Sequence, residues 1–416
     1  MPLRCVSLLI LFLVATVARA DNWPQWRGPD GNGVARGASF PTKWTKDSNV
    51  LWRVPMPGRG ASTPIVWQDR IFLTCGVEGQ NTALCYDFAG KPVWSVKLGA
   101  ERAGKHAKAS GSNPSPVTDG TALFVYFKSG ELAALDMAGK VLWETNLQKT
   151  YGDDTLWWDL GTSPVLTDKH LVVACMHSGP SFLVAFDKAT GKVAWKHDRN
   201  LDAPVEATQS YSTPVVVTDS KGVQTIYVLG ADHVTAHAAT DGQELWRVGG
   251  LNPEKNGYFR SIASPVIVGD VLIAPYARGN TITAIRLGGS GDVTQSHVLW
   301  TRKGIGSDVP TPTAVEGKLY VCTDRGEVAC LDVATGNELW RERVEKNRNG
   351  FSASPILAGN KLYVTREDGT TFVLEQGEPF RVIATNPLDE FTVATPVFVN
   401  GKILLRTYDH LYCIGS

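Results

Sequence analysis

The feature that most constrains the fold is a short unit that recurs along nearly the whole chain. One copy reads Cys330-Leu-Asp-Val-Ala-Thr-Gly336-Asn-Glu-Leu-Trp340, and others end in Trp94, Trp143, Trp195 and Trp246. Each copy joins an alternating apolar strand, a turn at Asp and Gly, and a second strand that carries a large ring, which predicts a β-hairpin. Because the same residues recur at the same place in each unit, we interpret them as architectural and assign them no catalytic role.

A second signal precedes each hairpin, a hydroxyl residue followed by proline and then an apolar run. It occurs eight times, at Thr63-Pro64, Ser115-Pro116, Ser163-Pro164, Thr213-Pro214, Ser264-Pro265, Thr311-Pro312, Ser354-Pro355 and Thr395-Pro396. Successive prolines are 41 to 52 residues apart, a period typical of a four-stranded propeller blade. Proline is tolerated at the start of an edge strand, and the innermost strand of a blade has such an edge.

The two ends of the repeat region complement each other. The last unit, from Pro396 to Ser416, has chain for only three strands, whereas Val50–Val54 is a fourth strand that lacks the first three. The unit that begins at Pro355 has no Trp at the usual place, and Phe380–Ile383 is expected to supply its fourth strand. We therefore predict an all-β fold, an eight-bladed β-propeller of four-stranded antiparallel blades over residues 50–416. Its ring is closed by the N-terminal strand that completes the C-terminal blade.

Residues 1–20 have the features of a cleaved export signal. Arg4 precedes an apolar run from Leu8 to Val17, and Ala18-Arg-Ala20 has the small residues of a cleavage site, which predicts cleavage after Ala20 and a periplasmic or secreted protein. Residues 21–49 are expected to form a lead-in segment that packs on the propeller, since Trp23 and Trp26 would be costly to expose. No later stretch has the roughly 18 consecutive apolar residues of a membrane span.

The charge balance argues against nucleic acid as a partner. The chain has 41 basic and 41 acidic residues, and loss of Arg4 and Arg19 with the signal would leave 39 and 41, a formal charge of −2. No basic stripe is visible that would supply phosphate contacts. We expect a monomer.

The cysteine spacing fits neither a metal site nor a dense disulfide framework. Cys85 falls where other repeats place Ala134 or Ala185, which suggests a small buried residue. Cys75 and Cys85 flank a predicted hairpin, however, and a disulfide between them is the alternative interpretation. The histidines show no zinc-site pattern, so no metal site is predicted.

The unit Ala-x-Asp-x-x-Thr-Gly-x-x-x-Trp, preceded by Ser/Thr-Pro, resembles the repeat of the pyrroloquinoline-quinone (PQQ)-type, or quinoprotein-like, β-propellers over residues 50–416. The opening Trp23-Pro-Gln-Trp-Arg-Gly28 resembles the start of secreted, often bacterial, propellers of this type. That family includes quinoprotein alcohol dehydrogenases, which are enzymes, and the outer-membrane assembly scaffold BamB, which is not. The resemblance therefore implies the fold more strongly than an activity.

A quinoprotein enzyme requires ligands for Ca²⁺, a carboxylate base and often a pair of adjacent cysteines. No two cysteines are adjacent in this chain, and no Cys-x-x-Cys-His haem site is present. We therefore expect no cofactor. PQQ with calcium belongs only to the alternative interpretation of the chain as a dehydrogenase.

Polar and aromatic residues collect in the loops that lead into the Ser/Thr-Pro steps, and these loops should surround one mouth of the central channel. The candidate ligand- or partner-binding residues on this rim are Arg59, His106, Lys108, Asn113, Trp157, Trp158, Asp159, Gln209, Tyr211, Tyr258, Arg260, Asp308, Arg348 and Glu390. Adjacent Trp residues in an extended segment point to opposite sides, so Trp157 and Trp158 stand out as the pair of which one is expected to be exposed.

Three functions follow from these observations. The first is an exported, non-catalytic propeller that binds or scaffolds a protein or an envelope component. The second is a quinone-dependent alcohol or sugar dehydrogenase, and the third is a propeller that binds or processes carbohydrate at the channel mouth. We predict the first, with no catalytic residues assigned.

Overall fold

The computed structural model describes residues 21–37, 39–375 and 381–415. These residues form eight antiparallel four-stranded sheets, two of which gain a short parallel strand at one edge. This confirms the predicted eight-bladed propeller. The predicted signal peptide, residues 1–20, lies outside the described residues. Within the described ranges, no helix is long and apolar enough to cross a membrane.

The blades follow one another along the chain. From the axis outward, the strands of blades 1 to 4 are Ile65–Trp67, Arg70–Val77, Gln80–Asp87 and Pro92–Ala100; Val117–Thr118, Ala122–Tyr126, Glu131–Asp136 and Val141–Asn146; Val165–Leu166, His170–Cys175, Phe182–Asp187 and Val193–Asp198; and Val215–Thr218, Gln224–Gly230, His233–Ala238 and Glu244–Val248. The strands of blades 5 to 8 are Val266–Val268, Val271–Tyr276, Thr281–Arg286 and Val298–Lys303; Thr313–Val315, Lys318–Cys322, Glu327–Asp332 and Glu338–Arg343; Ile356–Ala358, Lys361–Thr365, Thr371–Glu375 and Arg381–Asn386; and Val397–Val399, Lys402–Arg406, His410–Ile414 and Val50–Pro55.

The remaining elements are short. Two parallel strands flank blades 7 and 4, and four helical turns lie in the connections. These elements are the strands Val34–Ala35 and Gly291–Asp292, the α-helices Leu147–Tyr151 and Thr294–His297, and the 3₁₀ turns Val205–Thr208 and Ala277–Gly279.

Ring closure occurs in blade 8, as predicted. Val50–Pro55 pairs antiparallel with His410–Ile414, with Trp52 opposite Cys413. The fourth strand of blade 7 begins at Arg381; Phe380, which was expected to start it, lies outside the described residues. Each blade thus has four strands, although the chain supplies the last blade from both of its ends.

The recurring Asp, Gly and Trp join neighbouring blades. Asp332 Oδ1 accepts a hydrogen bond of 2.8 Å from the Thr335 amide, and Gly336 has φ 71°, which confirms the predicted turn. The Trp contacts the turn of the following blade, since Trp300 Nε1 donates to the Val333 carbonyl at 2.9 Å. The same bond recurs from Trp52 to Phe88, Trp94 to Met137, Trp143 to Lys188 and Trp195 to Ala239. The repeat therefore encodes contacts between blades as well as hairpins.

The apolar core lies between adjacent blades. Phe72 and Cys85 of blade 1, for example, are buried in one cluster with Leu123 and Val125 of blade 2. Because each sheet buries both faces in this way, its middle strands are continuous apolar runs.

The lead-in segment crosses the end of the propeller. Trp23 forms two backbone hydrogen bonds of 2.8 Å with Val66 in the innermost strand of blade 1. The chain then passes the axis at Trp26 and Arg27 and pairs with blade 7 through Val34–Ala35. Arg27, which is 1% exposed, donates hydrogen bonds to the carbonyls of Thr311, at 2.8 Å, and Pro312. Burial lowers the pKa of this guanidinium to about 9. The segment thus links blade 1 to blades 6 and 7.

The possible disulfide between Cys75 and Cys85 is not present. The six cysteines in the described part of the chain are free thiols. Cys75 lies opposite Thr82 in the hairpin and Cys85 lies opposite Phe72, so the strand register separates the two sulfurs. Burial raises the pKa of Cys85 to about 12, in keeping with an inert packing residue.

Candidate binding site at the channel mouth

A cavity of about 480 Å³ occupies the channel mouth. Seven of the fourteen predicted rim residues line it: His106, Lys108, Asn113, Trp158, Asp159, Tyr211 and Arg260. Trp26 of the lead-in segment also borders this cavity. The same Trp26 borders a second cavity of about 130 Å³, which lies on the opposite side of the propeller. Trp26 therefore forms the floor of the mouth cavity.

A closed ring of eight hydrogen bonds surrounds the lower wall of the cavity. In each blade the hydroxyl of the Ser/Thr-Pro step accepts a bond from the backbone N–H of the equivalent residue in the preceding blade, at 2.8 to 3.2 Å. The ring runs in order through Thr63, Ser115, Ser163, Thr213, Ser264, Thr311, Ser354 and Thr395. This arrangement explains why every repeat has Ser or Thr before its Pro: the oxygen satisfies a buried donor of the preceding blade.

Trp158 is fixed in place at the cavity although its side chain is 45% exposed. Its Nε1 donates to Glu206 Oε1 at 2.7 Å, and its backbone N–H donates to the Tyr211 hydroxyl at 3.1 Å. The His106 ring meets it edge-on, with 5.8 Å between ring centroids. An aromatic ring that is both exposed and held by a hydrogen bond presents a preorganised apolar face.

Asp159 is bound within the protein instead of facing a ligand. Its carboxylate forms a buried ion pair with Lys128 and accepts hydrogen bonds of 2.9 Å from the amides of Lys105 and His106. Burial alone would raise the pKa of Asp159, but the bonds from Lys128 and the two amides outweigh it and lower the pKa below its ordinary value. Asp159 therefore positions the loop that carries His106 and Lys108.

Arg260 is at the centre of a charged network beside Trp158. It is 8% exposed, its Nη2 lies 3.0 Å from Asp308 Oδ2, and its Nε lies 3.5 Å from Glu206 Oε1. Among the residues that the structure describes, Nη1 has no hydrogen-bond partner. Arg278 Nε approaches the same Asp308 oxygen at 3.9 Å. Burial raises the pKa of Asp308, and the neighbouring guanidinium of Arg260 opposes this rise.

Two further carboxylates border the cavity. Asp324 accepts hydrogen bonds from the amides of Asp308, at 2.7 Å, and Val309, at 3.1 Å, and burial raises its pKa. Glu367 binds Lys108 at 2.7 Å and accepts from the Ser352 hydroxyl at 2.7 Å. The wall therefore carries both acidic and basic groups.

The other seven predicted residues do not line the cavity. Gln209 is fully buried and joins the Tyr211 hydroxyl to the Trp157 amide, and Arg59 stacks over Tyr408 with its Cζ 4.5 Å from the ring centroid. Glu390 binds the Tyr412 hydroxyl at 2.6 Å. Three others are exposed: Trp157, Tyr258 and Arg348. Asp308 forms ion pairs with Arg260 and Arg278. Arg348 itself does not line the cavity, although Gly350 and Ser352 of the same loop do.

A model of the family "Outer membrane protein assembly factor BamB" matches residues 42–179, 154–297 and 290–378. These overlapping matches span residues 42–378, which is most of the chain and most of the propeller. The chain belongs to this family. The BamB of Shewanella oneidensis is 26% identical over 355 residues, covering 83% of this chain and 81% of the relative. That of Burkholderia pseudomallei is 25% identical over 373 residues, covering 87% and 86%.

Solved structures with the same fold include a BamB protein and a dehydrogenase. BamB from Moraxella catarrhalis superposes with a TM-score of 0.63 at 14% identity, covering 88% of this chain and 99% of that one. A europium-containing methanol dehydrogenase superposes with a TM-score of 0.70 at 12% identity, covering 94% and 90%. At such identities the likeness shows the fold alone.

Five residues that contact the cavity or its network in this BamB-family chain were missed by sequence reasoning: Trp26, Lys128, Arg278, Asp324 and Glu367. The last four lie in the turns between the second and third strands of their blades. Because antiparallel strands return to the face from which they started, these turns share a rim with the loops between blades. That rule could have identified them.

The carboxylates of this BamB-family mouth are paired with basic side chains. In the described ranges, no group of three or more His, Cys, Asp or Glu side chains is placed to hold a metal ion. Asp308 and Glu206 face Arg260, and Glu367 faces Lys108. Together with the lack of adjacent cysteines, this donor set does not fit PQQ with calcium.

Proposed function

We propose that the protein is an exported, non-catalytic propeller that binds another protein of the bacterial envelope and acts as an assembly scaffold. The observation that carries the proposal is membership of the BamB family across the blades, because the relatives bear the name of outer membrane protein assembly factors. The ionisable side chains at the mouth form ion pairs or hydrogen bonds with other groups of the protein. This pairing supports a binding role over a catalytic one.

The proposed docking surface is the part of the rim formed by Trp157, Val205 and Tyr258, whose side chains are 48%, 58% and 58% exposed. The loops that carry them touch: the Glu206 amide donates to the Gly257 carbonyl at 2.8 Å, and the Trp157 amide donates to Gln209 at 2.9 Å. Exposed Trp and Tyr residues are the side chains that most often dominate protein interfaces.

Backbone strain at Val205 supports the same surface. Val205 has φ 47°, a conformation that is strongly disfavoured for a β-branched residue. Its side chain is nevertheless exposed, so packing within the propeller does not compensate for the strain. Strain of this kind tends to persist at binding sites.

Site-specific photo-crosslinking tests the proposal. The crosslinking amino acid p-benzoylphenylalanine is incorporated in place of Tyr258, and in place of Val223 as the matched control. Val223 is also 58% exposed, but it lies in the turn between the first two strands of blade 4, on the opposite face. We expect a discrete crosslink to an envelope protein from position 258 and none from position 223.

Equal crosslinking from both positions, or crosslinking from position 223 alone, would contradict the proposed surface. A dehydrogenase function is not proposed, because no specific observation favours it. Its test, a titration with PQQ, is described in the Discussion.

Export and cleavage after Ala20 are part of the same proposal. They predict a mature protein that begins at Asp21, whose backbone amide donates to Asn400 Oδ1 at 2.9 Å. Intact-mass measurement of the protein recovered from the periplasm or the medium tests the cleavage site, and retention of residues 1–20 would contradict it.

A further inference from the structure

The mouth cavity described above has the size and composition of a small-molecule site. Its volume of about 480 Å³ lies within the roughly 300–1,000 Å³ of such sites. It is bounded by two tryptophans, Trp158 at the side and Trp26 at the floor, with polar groups between them. A protein that docks on Trp157 and Tyr258 does not require this cavity. The cavity therefore indicates a second, separate ligand.

The charges of the cavity balance within the protein. Lys108 is 2.7 Å from Glu367, Lys128 is paired with Asp159, and Arg260 is 3.0 Å from Asp308. A charged ligand that approached any of these three pairs would therefore meet a group of its own sign beside the group of opposite sign. Burying an unpaired charge there would be unfavourable, so the wall favours an uncharged ligand.

The same wall offers both donors and acceptors at close spacing. Carboxylate oxygens of Asp324 and Glu367 accept, Lys108 and Arg278 donate, and the hydroxyls of the Ser/Thr-Pro ring can do either. An uncharged molecule that bears several hydroxyl groups, each both donor and acceptor, matches this pattern. A pyranose ring also has an apolar C–H face, which suits the exposed and fixed face of Trp158.

We propose that the channel mouth binds a small neutral saccharide of one or two rings, stacked on Trp158 and hydrogen-bonded to Lys108, Arg278, Asp324 and Glu367. The inference does not rest on the proposed scaffold function. It places the saccharide in the cavity and the protein partner on Trp157, Val205 and Tyr258, so the two roles are separable by mutation.

Trp157 and Trp158 provide matched variants. They are adjacent and similarly exposed, at 48% and 45%, but only Trp158 lines the cavity. Saturation-transfer NMR with maltose, cellobiose and N,N′-diacetylchitobiose, each at up to about 10 mM, would detect affinities in the millimolar range. We expect Trp158→Ala to weaken binding about tenfold, the size of a lost aromatic contact, and Trp157→Ala to leave it unchanged.

Arg278→Gln serves as a second variant. Its side chain is 49% exposed, so its replacement is tolerated by the fold, and it is expected to weaken saccharide binding as well. Melting curves establish that each variant is folded. The absence of saturation transfer from all three disaccharides would overturn the proposal, as would equal loss in the Trp157→Ala and Trp158→Ala proteins. Tighter binding of glucuronate than of glucose would overturn the inference that the ligand is neutral.

Discussion

The indole ring of Trp300 in blade 5 lies directly against Gly336 in the turn of blade 6. A β-carbon at Gly336 would come within 2.6 Å of Trp300 Cδ2, closer than side chains approach one another. Glycine is thus required at this position twice over, by its φ of 71° and by the ring beside it.

Gly336→Ala is therefore expected to be more destabilising than the same change at Gly317. Both glycines have positive φ, 71° and 76°, but a β-carbon at Gly317 would meet no atom within 4 Å. Gly317→Ala should cost about 1 kcal/mol of unfolding free energy from backbone strain, and Gly336→Ala about 1–3 kcal/mol more from the clash. Urea denaturation measures both, and equal losses would contradict the blade contact.

Ring closure predicts a similar contrast between two neighbours in the closing strand. Trp52 donates to the Phe88 carbonyl at 3.2 Å and packs on Gly90 of blade 1, whereas Leu51 is 46% exposed. Trp52→Ala should lower the unfolding free energy by about 3 kcal/mol, and Leu51→Ala by less than about 0.5 kcal/mol. A Trp52→Ala protein that melts with the wild type would mean that closure contributes nothing to stability.

The ring of hydrogen bonds between Ser/Thr hydroxyls and backbone amides predicts that replacing Ser163 by Ala lowers the stability of the protein. Ser163→Ala leaves the buried Ser115 amide, now bonded at 2.9 Å, without an acceptor, which should cost about 1–3 kcal/mol. Ser163→Thr retains the oxygen and reproduces a residue found elsewhere in the ring, so its melting temperature should stay close to that of the wild type. Equal melting temperatures for the Ala and Thr variants would show that the bond is not required.

His237 predicts a pH dependence of stability. Burial lowers its pKa to about 3, with smaller contributions from Arg199, His197 and Arg247, while its contact with the Gly242 carbonyl opposes the shift. The unfolded chain takes up a proton near pH 6.5 but the folded protein does not. Unfolding free energy is therefore highest above about pH 6.5 and falls between pH 6.5 and 3. In the His237→Gln protein this part of the fall should be absent, and parallel curves for the two proteins would exclude the assignment.

PQQ is predicted not to bind. The candidate carboxylates for binding calcium are those of Asp308 and Glu206. Each lies within 3.5 Å of the positively charged guanidinium of Arg260, which disfavours a cation there. Equilibrium titration with PQQ at micromolar concentration and excess CaCl₂ should give no saturable absorbance change. Stoichiometric, calcium-dependent binding would restore the dehydrogenase interpretation.

The fold was predictable because the repeat records contacts that every blade must make. The Gly336 turn, the Trp at the end of seven hairpins and the Ser/Thr-Pro step occupy equivalent places, so one solution recurs around the ring. Closure through Val50–Pro55 followed from counting strands. The Cys75–Cys85 question was not decidable, because strand register, which pairs Cys75 with Thr82, depends on the exact turn.

The binding site was only partly predictable. The rim loops differ from blade to blade, and sequence does not show which side chains turn inward, as with Trp158, or remain outside, as with Trp157. Asp159 is a further example: it reads as a rim ligand, but Lys128 from a separate turn binds it. Such pairings arise between blades and carry no local pattern.

The lead-in segment has a consequence for the order in which the protein can be completed. Arg27 is made early in synthesis, yet its acceptors Thr311 and Pro355 lie 284 and 328 residues later. Likewise, Trp52 cannot pair with Cys413 until the C-terminal strand has been synthesised. Until the last blade has been made, the strand Val50–Pro55 has no partner and Trp23 and Trp52 lack much of their cover, which is the condition under which chains aggregate or recruit chaperones. During synthesis, a protein with this connectivity depends on protection from aggregation, which the finished ring no longer needs.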